Sequence, residues 1–176
     1  MRLRVVVGGG AIFAMGVVVG LALAADKKVD PSVYLGKEPE QAARALLEAA
    51  QLQAGNGSWE NIAVARVYYL MGDRAAANAI LDRFIAGKMK SNDWIRVGRL
   101  YVEAGEWDKA KEAFDRLLAV DPDDPDYQAE IGAYYNLHGD RARAEELFAR
   151  SFAKDPSDVW ASVNAAGSYV KVPPQP

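Results

Sequence analysis

The sequence predicts an all-α fold, an α-solenoid of three stacked helix–turn–helix repeats with a half-repeat helix capping each end. Three observations predict it. Apolar residues make up 51% of the 176-residue chain and recur at helical rather than alternating spacing. A glycine-centred turn occurs three times, as Met71-Gly72-Asp73, Ala104-Gly105-Glu106 and His138-Gly139-Asp140, with the glycines 33 and then 34 residues apart. The same residue types bracket each turn: a tyrosine before it (Tyr68, Tyr101, Tyr135), an alanine after it (Ala77, Ala110, Ala144), then a large apolar residue (Leu81, Phe114, Phe148).

Taken in order, the first element is an address. Arg2 and Arg4 precede 21 uncharged residues, Val5 to Ala25, which hold the small-residue pattern Ala22-Leu23-Ala24. Residues 1–24 therefore read as a secretory signal peptide cleaved after Ala24. The alternative is an uncleaved membrane anchor, since about 20 apolar residues span a bilayer, and Gly16 and Gly20 have the spacing that pairs such helices. Either reading places the remainder outside the cytoplasm, in the periplasm. Residues 25–38 form an extended linker. The helical domain covers 39–171, and 172–176, Val-Pro-Pro-Gln-Pro, read as a flexible proline-rich tail.

Eight helices are expected, at about 39–53, 58–71, 73–86, 92–104, 107–119, 124–137, 141–153 and 157–170, by the periodicity of apolar residues and their stop signals. The turn glycines end the first helix of each pair, where a left-handed residue is needed. The alanine after each turn marks close helix approach. Asp121-Pro122 and Asp155-Pro156 end the second helices, because the residue before proline is pushed out of the helical region, and their aspartates are good caps. Ala54-Gly55-Asn56-Gly57 reads as a flexible break.

These residues resemble the tetratricopeptide repeat, a 34-residue helix–turn–helix with the pattern W-x2-L-G-x2-Y, A-x3-F and P. The middle repeat is the most similar, with Trp94, Val97, Gly98, Tyr101, Gly105, Ala110, Phe114, Leu117 and Pro122. The third carries Gln128 in place of tryptophan. The first departs furthest, with Asn61, Ala65 and Met89 at the tryptophan, glycine and proline positions. The resemblance implies stacked hairpins whose first helices form a peptide-binding concave face.

By register that face collects Trp59, Ile62, Arg66 and Tyr69, then Ile95 and Arg99, then Asn136, and Trp160 from the terminal cap. Arg66 and Arg99 hold the same repeat position and are expected side by side. Guanidinium groups grip carboxylates with two hydrogen bonds, and aromatic residues with arginine are common interface anchors. One reading is a groove for a peptide offering an apolar side chain and an acidic group or C-terminus. The other is that the arginines pair with Glu103 or other local acids and merely solvate the face. Ile62, Ile95, Arg66 and Arg99 stand where family members that hold chaperone tails carry a lysine–asparagine clamp, so no such tail is implied.

Other chemistry finds little support. The chain has no cysteine and one histidine, so thiolate chemistry is excluded and His138 lacks partners for metal or acid–base work. His138 sits at a helix C-terminus, where a partly positive imidazole is expected. Asp121 to Asp126 resemble a calcium loop only in acid content, lacking its glycine and glutamate order. No phosphate loop, nucleophile elbow or dinucleotide motif occurs, and a net charge of −3 offers no basic field for nucleic acid. The expected function is a cofactor-free periplasmic adaptor for a protein or peptide partner. The resemblance to exported repeat proteins suggests envelope biogenesis, secretion or pilus assembly. A membrane-anchored self-associating organiser and an envelope hydrolase are the alternatives.

Overall fold

The structure is a computed structural model that describes residues 28–175. The expected export segment, residues 1–24, lies outside the described residues. Among these are eight α-helices and no strand: α1 Pro39–Ala54, α2 Ser58–Leu70, α3 Arg74–Ile85, α4 Ser91–Glu103, α5 Trp107–Val120, α6 Pro125–Leu137, α7 Arg141–Lys154 and α8 Val159–Tyr169. Each boundary falls within two residues of its expected place, because the stop signals are local. No described helix is long and apolar enough to cross a membrane.

The chain divides into two compact units at Gly55. The first contains α1 and, within the stretch expected to be extended, a one-turn 3-10 helix at Pro31–Val33. Asp30 opens that turn by accepting a hydrogen bond from the Ser32 amide at 2.8 Å. The helix α1 begins at a proline, whose missing N–H costs nothing at that position, and carries a Glu40–Arg44 ion pair one turn apart.

The second unit, residues 56–176, is built from hairpins α2–α3, α4–α5 and α6–α7, with α8 packed on α6. Each of the three turn glycines adopts a positive φ, 94° at Gly72, 74° at Gly105 and 92° at Gly139. The residue after each returns an amide to the tyrosine carbonyl four residues before the glycine, as from Asp73 to Tyr68 at 2.9 Å. This double-bonded helix end satisfies carbonyls the helix leaves orphaned.

Inside each hairpin a small residue faces a large one sixteen positions later. Gly98 lies under Phe114, where an added Cβ would sit 2.2 Å from the ring, and Gly132 lies under Phe148, where it would sit 2.8 Å away. In the first hairpin Ala65 replaces the glycine and Leu81 the phenylalanine, and both are buried. The extra methyl on one helix is matched by a smaller side chain on the other, so the first repeat departs from the pattern without opening a void. Trp94, Phe114, Tyr135 and Phe148 are buried as expected of repeat-defining residues, and Tyr101 is half-buried.

The caps differ from expectation in one detail. Asp121 and Asp155 close α5 and α7 at their C-termini, and the N-caps are Asp124 and Asp158, three residues on. Asp124 accepts from the Tyr127 amide at 3.1 Å and Asp158 from the Trp160 amide at 2.8 Å. The intervening proline ends one helix, and the next needs its own acceptor outside its first turn.

Candidate functional site

The first helices α2, α4 and α6 present one face together, and polar rungs tie it. Ser58 donates to Asp93 at 2.8 Å across α2 and α4, and Arg66 pairs with Glu103 across the same two helices. Arg99 donates to Glu130 from Nε and a terminal nitrogen at 2.6 and 2.7 Å, across α4 and α6. Asn136 reaches Ser168 of α8 at 2.9 Å. Between the rungs lies a cavity of about 440 Å³, lined by Trp59, Ile62, Ala63 and Arg66 from α2, by Arg96, Arg99, Leu100 and Glu103 from α4, and by Tyr134 from α6. Pro173 and Pro174 complete its wall. A cavity of this size lies in the range of peptide and small-ligand sites.

The lining shows which positions along the helices meet. The residues 59, 62, 63 and 66 form one stripe on α2, and 96, 99, 100 and 103 form the same stripe on α4, at an offset of 37. The Arg66–Glu103 rung has this offset too, whereas equivalent repeat positions are 33 apart in sequence. The cavity therefore takes equivalent positions, Ala63 with Arg96 and Arg66 with Arg99, together with residues one helical turn further along α4. The rung across α4 and α6 reaches the other way, with Arg99 joined to Glu130 at 31 residues.

The packing of the three helices decides which expected residues meet. Trp59, Ile62, Arg66 and Arg99 share the cavity. Tyr69 does not line it. It is buried at the α2–α5 side, in edge contact with Tyr101 at 5.6 Å, with its hydroxyl on Glu106 at 2.7 Å and on Arg74 at 2.8 Å. Ile95 is buried in the core, and Asn136 is buried in the rung to Ser168. Trp160 lines a second cavity, of about 400 Å³, with Asp126, Tyr127, Glu130 and Val163.

Both arginines singled out by repeat position hold acids of the protein itself. The reading in which they pair with Glu103 or another local acid describes their geometry, because each lies within one turn of a glutamate on the next first helix. The two rungs differ in setting. The side chains of Arg66 and Glu103 are 47% and 44% exposed, those of Arg99 and Glu130 24% and 9%. Burial works against the Arg99 charge, but the Glu130 hydrogen bonds and charge outweigh it and hold the guanidinium above its ordinary pKa. Burial first, then the Glu130 charge, raises the neighbouring Tyr134 hydroxyl.

Sequence reasoning passed over Arg96. Its guanidinium carbon lies over the Trp59 ring, 3.6 Å from the centroid, a cation–π contact. Among the described residues it forms no ion pair, and its buried Nε has no hydrogen-bond partner. Burial and the charge of Arg99 push its pKa down, only partly offset by Asp93. It is the cavity's uncompensated cation. Its place 33 residues after Ala63, in repeat register, and its helical spacing from Arg99 and Glu103 were usable signals.

The remaining candidates lie outside the lining of the first cavity. His138 stacks on Trp107 at 4.0 Å. Burial and then the Lys171 charge lower its pKa, opposite in direction to the effect expected from the helix end. No group of three or more His, Cys, Asp or Glu among the described residues could hold a metal ion, the stretch from Asp121 to Asp126 included.

The tetratricopeptide repeat model matches residues 68–130. No curated protein matches the chain. Among solved structures, the crystal structure of MamA superposes with a TM-score of 0.52 at 18% identity, covering 74% of this chain and 77% of that one. The chain is therefore an all-α helical repeat protein with a tetratricopeptide repeat signature across its central hairpins.

Proposed function

We propose that this chain is a non-enzymatic adaptor that holds a peptide segment of a partner protein in the groove along α2, α4 and α6. The observation that carries the reading is the cavity of about 440 Å³ with an apolar floor (Ile62, Leu100) and one unpaired cation, Arg96. The tetratricopeptide repeat match supports it, since that repeat commonly serves protein–protein contact. The acidic group of the partner meets Arg96 rather than Arg66 or Arg99, because those two are already neutralised. Export to the periplasm, with a role in envelope assembly or secretion, rests on the pattern of residues 1–24. Amino-terminal sequencing of the cell-envelope protein tests it: Ala25 as first residue supports a cleaved signal, and Met1 supports an anchor.

The groove is tested by photocrosslinking in cells. A probe at Ala63, exposed within the cavity, should capture a discrete partner, and a probe at Glu112, on α5 and away from it, should not. Capture from Glu112 alone would place the partner on another face and defeat the reading.

A further inference from the structure

The chain after α8 repeats the turn of the earlier hairpins and then abandons the repeat. Val172 returns its amide to Gly167 at 2.9 Å, as Asp73, Glu106 and Asp140 return theirs to Tyr68, Tyr101 and Tyr135. Lys171 holds the left-handed place with φ 65°, the one non-glycine residue described there. In the hairpins an acidic residue follows and a helix starts. Here Val172 is followed by Pro173 and Pro174, which withhold N–H groups and keep the preceding residues extended.

Residues 172–175, the described part of the tail 172–176, lie along the groove. Pro173 and Pro174 line the cavity that holds Trp59 and Arg96, Pro173 also borders the cavity of Trp160, and Pro174 is buried. The path is prepared on α8. Where the hairpins carry tyrosine four residues before the turn, α8 carries Gly167, and a Cβ there would come within 3.0 Å of the Val172 carbonyl oxygen. The segment fits the groove in shape but not in charge. Val172 to Gln175 has no acidic side chain, so Arg96 stays unpaired with the strap in place.

We propose that the groove is a receptor for an extended, proline-containing acidic segment of a partner protein, and that Val172–Gln175 is a tethered surrogate that closes one side of the site until such a segment displaces it. Extended proline segments suit such a groove because they enter already ordered. The surrogate competes at the high effective concentration of a short tether, and the partner's acid supplies the contact with Arg96 that the surrogate lacks. The inference rests on the adaptor reading and goes on to name the partner's chemistry and a built-in competitor.

The test is fluorescence anisotropy with the full chain and a labelled peptide Gly-Glu-Val-Pro-Pro-Gln-Glu-Gly. Two control peptides carry alanine for both prolines, or glutamine for both glutamates. The variant Pro173→Gly/Pro174→Gly loosens the strap without touching a helix. It should bind the acidic proline peptide on the order of tenfold more tightly than the parent chain. Adding Arg96→Gln should reduce that affinity to the level of the glutamine peptide, with circular dichroism unchanged. Equal affinity of the parent and loosened chains, or no preference for proline over alanine, overturns the proposal. A change from dimer to monomer on loosening, read by sedimentation, also overturns it, since the occupant would then be the strap of a second copy. Partner capture from Ala63 alongside such a failure leaves the adaptor reading standing, whereas loss of capture there removes both.

Discussion

The first and second hairpins, α2–α3 and α4–α5, solve the same packing problem with different residues. In α4–α5 a glycine and a phenylalanine interlock, with no room for one more carbon at Gly98. In α2–α3 the pair is Ala65 and Leu81, both fully or almost fully buried. The rungs that leave the two hairpins differ in parallel. The Arg66–Glu103 rung stands largely in solvent, and the Arg99–Glu130 rung is mostly covered. What a repeat preserves is the sum of two facing side chains and the presence of a rung. The identity of any single residue, and the strength of any single rung, are free to vary.

Exchanging the interlocked pairs should have the largest effect. Gly98→Ala drives a methyl into the Phe114 ring and should cost about 3 kcal/mol, the upper part of the usual range for overpacking. Gly98→Ala/Phe114→Leu recreates the Ala65/Leu81 solution and should recover most of that loss, giving a favourable coupling in a double-mutant cycle by urea denaturation. If Gly98→Ala is neutral, or the second change adds its own full penalty, the two hairpins are not equivalent solutions.

Removing the acid from each rung comes next. Glu130→Gln leaves Arg99 charged and largely covered, and should cost about 2 kcal/mol. Glu103→Gln leaves Arg66 with water, and should cost about 0.5 kcal/mol or less. Thermal melts of the two variants under one buffer make the comparison. Similar losses would mean that exposure does not separate the rungs. Raised salt should narrow the difference little, because the covered rung is poorly screened.

The smallest effect extends the comparison to the third hairpin, where an acid, Asp126, faces other acids. Burial, then a hydrogen bond and charge from Asp158, then the charges of Asp124 and Asp155, raise the pKa of Asp126. A carboxylate with a raised folded-state pKa binds its proton more tightly in the folded chain. Its ionisation therefore opposes folding above that pKa, and the penalty fades as pH falls through it. Asp126→Asn should raise Tm at pH 7, and the gain should shrink as pH falls through the raised pKa towards the ordinary carboxylate range. A gain that is independent of pH would rule out ionisation as the cause.

Helix positions, turns and hairpin interiors could be read from the chain because their causes are local. A left-handed residue at Gly72, Gly105 and Gly139, a proline after Asp121 and Asp155, and a sixteen-residue spacing between facing partners lie within one hairpin. The groove could not be read so directly, because it is made between hairpins. Arg96 joins the lining in repeat register with Ala63, whereas Ile95, the equivalent of the lining residue Ile62, is buried in the core, and no single hairpin encodes which positions meet its neighbour. The partners of Arg66 and Arg99 and the covering of the groove by Pro173 and Pro174 follow from the same cause. Backbone conformation and repeat spacing are properties of short stretches, legible in order along the chain. Which charges meet and which cation is left over depends on how separate helices settle against one another, and only the packed arrangement decides that.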